Sequence, residues 1–144
     1  MATIETLPAH LNTLSPTDWE KLFSLLPEIA ATKEFGWFKG GEKREDGTVT
    51  FPYQVQAEIV NKTVKAITSL DIMPVFDWMK WAEGIQMLND ENYDYSKQDA
   101  VTLCKLFTVA IRGDRFNEGF LVDIFQQGVM SEIIRALQKR VQEQ

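Results

Sequence analysis

Two short stretches hold the side chains with which this chain could do chemistry. In FDWMKWAEG, residues 76–84, Asp77 and Glu83 flank Trp78 and Trp81; in IRGDRFNEG, residues 111–119, Arg112, Arg115 and Glu118 surround Phe116. Tryptophans three apart share a helix face, and an indole wall edged by carboxylates suits a cationic or sugar-like ligand. The guanidinium forks of Arg112 and Arg115 suit an anionic ligand or a partner's carboxylate. Asp77, Trp78, Trp81, Glu83, Arg112, Arg115 and Glu118 therefore form the candidate ligand-binding set. They would serve acid–base or anion-binding roles without a metal, provided they converge on one accessible pocket.

A plainer role competes with this one. Aromatic pairs commonly pack into a core with their polar edges at the rim. Arg115 and Glu118, three apart, can pair along a helix, and Arg112 lies in the last turn before Gly113, at the negative end of the helix dipole. A partly desolvated Arg115 beside Phe116 would have to be paired. On this reading the cluster clamps two helix ends together, and we favour it.

Other chemistry lacks its parts. His10 is the single histidine and sits near an end expected to be mobile; Cys104, the single cysteine, falls on the apolar face of a helix, where a thiol behaves as a small hydrophobe. A triad needs a placed nucleophile, base and orienting acid, so no catalytic residue is assigned. One His and one Cys cannot furnish a zinc site. Asp90, Asn92, Asp94 and Ser96 alternate as in a calcium loop, but Tyr95 stands where glycine is needed and Val101 where a bidentate glutamate belongs. Gly40-Gly41 lacks phosphate-loop spacing. No metal and no cofactor is expected.

The elements that must position these residues are mostly helical. Ser15 caps a first helix, with Pro16 at its first position, Asp18 in its first turn, and Trp19, Leu22, Phe23 and Leu26 on one face; Pro27 breaks it. Residues 37–52 have strand character around an Asp46-Gly47 turn, which predicts one small hairpin. A helix from Gln54 to about Leu70 carries Ala57, Val60, Val64 and Ile67 as a stripe. Asp77 caps the next, with Trp78, Trp81, Ile85 and Leu88 facing inward, and Ser96 caps a strongly periodic helix ending at Gly113. One helix from Phe116 to Gly128 and another from Val129 to Val141 complete a compact bundle of five to six amphipathic helices, a mainly α fold in a single domain, residues 1–144.

Composition sets the outer bounds. The net charge of −6, from 15 basic and 21 acidic residues, argues against nucleic acid and against an anionic membrane surface. No apolar run reaches the roughly 18 residues that span a bilayer. MATIETLPAHLNTL lacks the layout of a signal peptide, and a lone cysteine gives no disulfide framework, so a cytoplasmic location is expected.

DWMKWAEG, followed by LFTVAIRGDRFNEGFLVDIFQQGVMSEIIRAL, resembles a bacterial family of uncharacterised proteins, a domain of unknown function. The features carrying the resemblance are Asp77, Trp78 and Trp81 in a mid-chain element, then Arg112, Arg115, Phe116, Glu118 and Gly119 ahead of two terminal helices. Where the family commonly has cysteine, this chain has Asn117. The resemblance covers the second half well and the first half loosely; it implies a mainly helical domain and no particular activity. The expected role is therefore binding without catalysis, to a protein partner or in a homodimer. A small-ligand binder or a metal-independent enzyme, using a Trp-walled pocket with Arg and carboxylate groups, is the alternative.

Overall fold

A computed structural model describes residues 1–143. Among them are eight α-helices and one antiparallel strand pair: α1 Leu7–Leu11, α2 Pro16–Phe23, α3 Leu26–Ala31, β1 Gly36–Lys39, β2 Tyr53–Gln56, α4 Glu58–Leu70, α5 Ala82–Asn89, α6 Ala100–Gly113, α7 Phe120–Gln126 and α8 Val129–Gln142. Five of the helices have eight residues or more, and α1, α3 and α7 are shorter. The mainly helical fold with one hairpin is as expected. Among the described residues no helix is long and apolar enough to cross a membrane.

The core is one continuous cluster built around α6, whose Leu103, Cys104, Leu106, Phe107, Val109 and Ala110 are buried. Helices α5, α7 and α8 pack on it, and α8 in turn carries α2 and α3. Apolar burial at about 25 cal/mol per Å² supplies the main driving force. Polar anchors fix the register: Thr108 donates to the Pro74 carbonyl (2.8 Å), and Arg140 on α8 donates to the carbonyls of Gln98 and Ser96.

Local signals decide most element boundaries. Ser15 and Asp18 form a reciprocal capping box at α2. Pro27 does not break that helix from within; it occupies the first turn of α3, where its missing N–H costs nothing. α4 begins at Glu58, not Gln54, because residues 53–56 are consumed by β2. α6 is capped by Asp99, which accepts from Thr102 N–H at 2.8 Å, and not by Ser96, whose hydroxyl and amide instead serve Asp94. The N-terminus is held in place. Ala2 N–H donates to Asp71, Val75 N–H donates to the Ala2 carbonyl, and His10 donates Nε2–H to the Leu70 carbonyl at 2.8 Å. The histidine expected at a mobile end is therefore a structural strap.

The hairpin reaches further than residues 37–52. Its paired strands are Gly36–Lys39 and Tyr53–Gln56, with Trp37 opposite Val55 and Phe38 opposite Gln54. Between them the chain makes an excursion closed by a bridge between Lys43 and Val49 and by the expected Asp46-Gly47 turn. There Arg44 N–H donates to the Thr48 carbonyl while Gly47 takes φ +88°, a backbone conformation natural to glycine.

Candidate functional site

The second motif is where sequence periodicity and structure part. The spacing of Phe116, Phe120 and Ile124 suggests a helix starting near Phe116, but α7 starts at Phe120. Gly119, at φ +96°, reverses the chain just before it, and residues 114–118 form tight turns off the end of α6. Gly113 is the last residue of α6, and it is buried because the Phe120 ring lies against it, 3.0 Å from where a Cβ would sit.

The clamp at this junction is made by Asp114. Its Oδ1 accepts from Gly119 N–H (3.2 Å) and Leu121 N–H (3.1 Å), so one carboxylate closes the turn and caps the N-terminus of α7. Its Oδ2 accepts a longer bond from the Gln56 side chain at the end of β2. Glu118 adds a second tie across the chain, accepting from Gln54 N–H at 2.9 Å. The α6–α7 junction is thereby stitched to the hairpin.

Arg115, the residue expected to sit partly desolvated in that clamp, is exposed, and Arg112 is half-buried. Among the described residues neither forms an ion pair, with Glu118 or any other carboxylate. The signal for Asp114 was present in the sequence, as an aspartate shortly ahead of a glycine and a new helix.

The first motif divides in the same way. Residues Trp78–Lys80 form a 3-10 turn; Asp77 makes no capping bond there, lies exposed, and pairs with Lys80 at 3.5 Å. Trp78 is half-buried, and its ring meets Phe116 with centroids 6.0 Å apart, which brings the two motifs together. Trp81 turns elsewhere. It lies edge-on to Phe76 and under the Lys105 ammonium, 4.1 Å from the ring centre, a cation–π contact with α6. Gly84 lets this happen, since a Cβ there would fall 2.2 Å from the Trp81 ring.

The hollows in the surface follow a different map. A groove of about 510 Å³ runs between α4 and the α6–α7 junction, floored by Val64, Ile111 and Leu121 and edged by Lys65 and Asp114. Glu83 lines a separate hollow with Gln86 and Asp90. Neither takes in Trp78, Trp81, Arg112, Arg115 or Glu118. Among the described residues no three His, Cys, Asp or Glu side chains converge on a metal-sized site. In the oxygen-rich loop the carboxylates close local turns, Asp90 on Asn92 N–H and Asp94 on Ser96. Burial pushes the Cys104 thiol well above its ordinary pKa.

What gathers near the joined motifs is exposed apolar surface. Phe116 is 71% exposed, and Met79 beside Trp78 is also open. The hairpin tied to this turn by the Glu118–Gln54 bond also carries exposed rings: Phe38 is 68% and Phe51 89% exposed, and Tyr53 and Trp37, on the opposite face of the strand pair from Phe38, are open as well. Composition alone did not reveal this concentration, because an aromatic in a strand-like run reads equally well as core.

Nothing among the curated proteins or the solved structures gives a significant match to the chain. A family model does match, over residues 14–143, a span that includes both motifs, the hairpin and every helix from α2 onward. The chain belongs to that family, the family of unknown function DUF6508.

Proposed function

We propose that the chain is a cytoplasmic protein-interaction module without catalysis, and that its contact surface is the aromatic face formed by the hairpin, the 114–119 turns and the Trp78 turn. One observation carries this reading: Phe38, Phe51 and Phe116 are each more than two-thirds exposed, on segments tied together by Glu118–Gln54 and Trp78–Phe116. Scattered single apolar residues on a surface are ordinary; several rings on connected segments are the mark of a surface that meets a partner. Aromatic side chains are also the ones that dominate binding energy when covered.

The ionic residues then have a supporting part. Asp114 and Glu118 hold the loop that presents Phe116 and fasten it to the strand beside Phe38. The competing reading, a ligand pocket walled by Trp78 or Trp81, would require an indole and Glu83 to face the same hollow as the arginines, and Trp78 packs against Phe116. Trp81 is engaged with Lys105, and Glu83 lines a hollow on α5.

A photo-crosslinking amino acid placed singly at Phe51 and at Phe116 tests the reading in the native host, with Glu20 on α2 as the exposed control. The expected result is a discrete protein adduct, of this chain or another, from both aromatic positions and not from Glu20. Labelling at Phe51 and Phe116 no stronger or more specific than at Glu20 would overturn it.

A further inference from the structure

We infer that the free edge of β1 pairs with the β1 edge of a second copy of this chain, forming a four-stranded antiparallel sheet across a two-fold axis. This rests on the interaction reading above and names its partner.

Hydrogen-bond alternation identifies the available edge. Ala57 N–H donates to the Phe35 carbonyl at 2.8 Å, in register with Trp37 opposite Val55 and Lys39 opposite Tyr53. Odd-numbered residues of β1 therefore face β2, and the N–H and C=O groups of Gly36 and Phe38 point out of the hairpin. The opposite edge, that of β2, is blocked where Glu118 accepts from Gln54 N–H. A two-stranded ribbon is marginal by itself, and an uncapped edge flanked by exposed rings is a template for another strand.

The edge is complementary to itself. Outward-facing residues must pair with outward-facing residues, which permits two-fold registers centred on Trp37, Phe38 or Lys39. Centring on Lys39 sets two ammonium groups against each other, a directly opposed like-charge pair that is destabilising. Centring on Trp37 wastes the lysine against the buried Phe35. Centring on Phe38 sets the two exposed Phe38 rings side by side and puts Lys39 of each copy opposite Trp37 of the other, a cation–π pair on both sides of the axis. Gly40, at φ +90°, ends the strand where the partner's Gly36 would end it. Lys39, commonly a guard against edge pairing, here selects one register among three.

Cysteine cross-linking reads that register, and the natural Cys104 does not compete because it is fully buried. Trp37 and Lys39 of opposite copies would form a non-hydrogen-bonded pair with Cα atoms about 4.5 Å apart, inside disulfide range. Under mild oxidation, a mixture of Trp37→Cys and Lys39→Cys chains is expected to form heterodisulfide dimers at least tenfold faster than either variant alone or a Glu20→Cys control. By light scattering the natural chain should reach twice its 16.5 kDa mass, and Phe38→Asp should return it to monomer, with the melting temperature of the natural chain at concentrations where the latter is also monomeric. Two results would overturn the inference: a monomer at all concentrations up to millimolar with no cross-link above control, or a dimer that survives Phe38→Asp. Faster homodimer formation by Trp37→Cys or Lys39→Cys alone would overturn the register. In each case, adducts from Phe51 and Phe116 would still stand, so the two readings fail separately.

Discussion

Asp114 and Arg115 are neighbours in the chain, yet only the aspartate holds other segments of the chain in place. Asp114→Ala removes a charged acceptor from two backbone N–H groups at a half-buried helix start, Gly119 and Leu121. Hydrogen bonds to a charged group contribute roughly 1.5–3 kcal/mol each, and some of that is recovered by water, so urea unfolding should show a loss of about 2–3 kcal/mol. Arg115→Ala, at an exposed side chain with no ion pair, should move stability by less than about 0.5 kcal/mol. Equal losses from the two variants would mean that the guanidinium does share in the clamp. Asp18 makes the corresponding case in the capping box of α2. Bonds from the backbone and hydroxyl of Ser15 hold its carboxyl below the ordinary 3.8. A carboxyl with a depressed folded pKa stabilises above its unfolded value and loses that contribution as pH falls through the folded one. Asp18→Asn should therefore lower the melting temperature at pH 7, and the gap to the natural chain should close as pH drops below 3.8. A gap that stays constant down to pH 2 would rule out the carboxylate's part.

At the scale of elements, α5 shows how a small residue places a large one. Trp81 folds back over Gly84 to meet Lys105, and a methyl at position 84 would collide with the indole at 2.2 Å. Gly84→Ala raises helix propensity but forces the ring out, and such overpacking typically costs about 1–3 kcal/mol. The variant should be less stable, with altered tryptophan fluorescence; a gain in stability would show that Trp81 moves freely. The helices legible in the sequence were those with long apolar stripes, α4, α6 and α8, together with α2, which a cap and a proline announce. Boundaries failed where two signals competed. Gln54 to Gln56 fit both the strand and the helix after it, and the hairpin won because Val55 pairs with Trp37 in the ladder while Gln54 N–H is taken by Glu118. Phe116 kept helical spacing with Phe120, but Gly119 broke the helix between them. The seven candidate site residues were legible as two clusters. Their joining through Trp78 and Phe116 was not, because that contact crosses 38 residues of chain and no local pattern encodes it.

The whole molecule separates a well-packed helical body from an aromatic face at its hairpin side. The body is built on α6, and the face is held to it by Asp114, Glu118 and Gly36, where the β1 backbone lies against Val122 of α7. If Phe38, Phe51 and Phe116 serve contact and not the core, their loss should scarcely be felt by the folded chain. Truncating a buried phenylalanine costs about 3–5 kcal/mol, whereas the one intramolecular ring pair here, Phe116 with Trp78, is an interaction of about 0.5–1.5 kcal/mol. The most direct measurement is the unfolding free energy of the triple variant Phe38→Ser, Phe51→Ser, Phe116→Ser, at protein concentrations where the natural chain is monomeric. A loss below about 1.5 kcal/mol is the outcome this account requires. A loss of several kcal/mol would contradict it, since the three rings would then belong to the interior of the molecule.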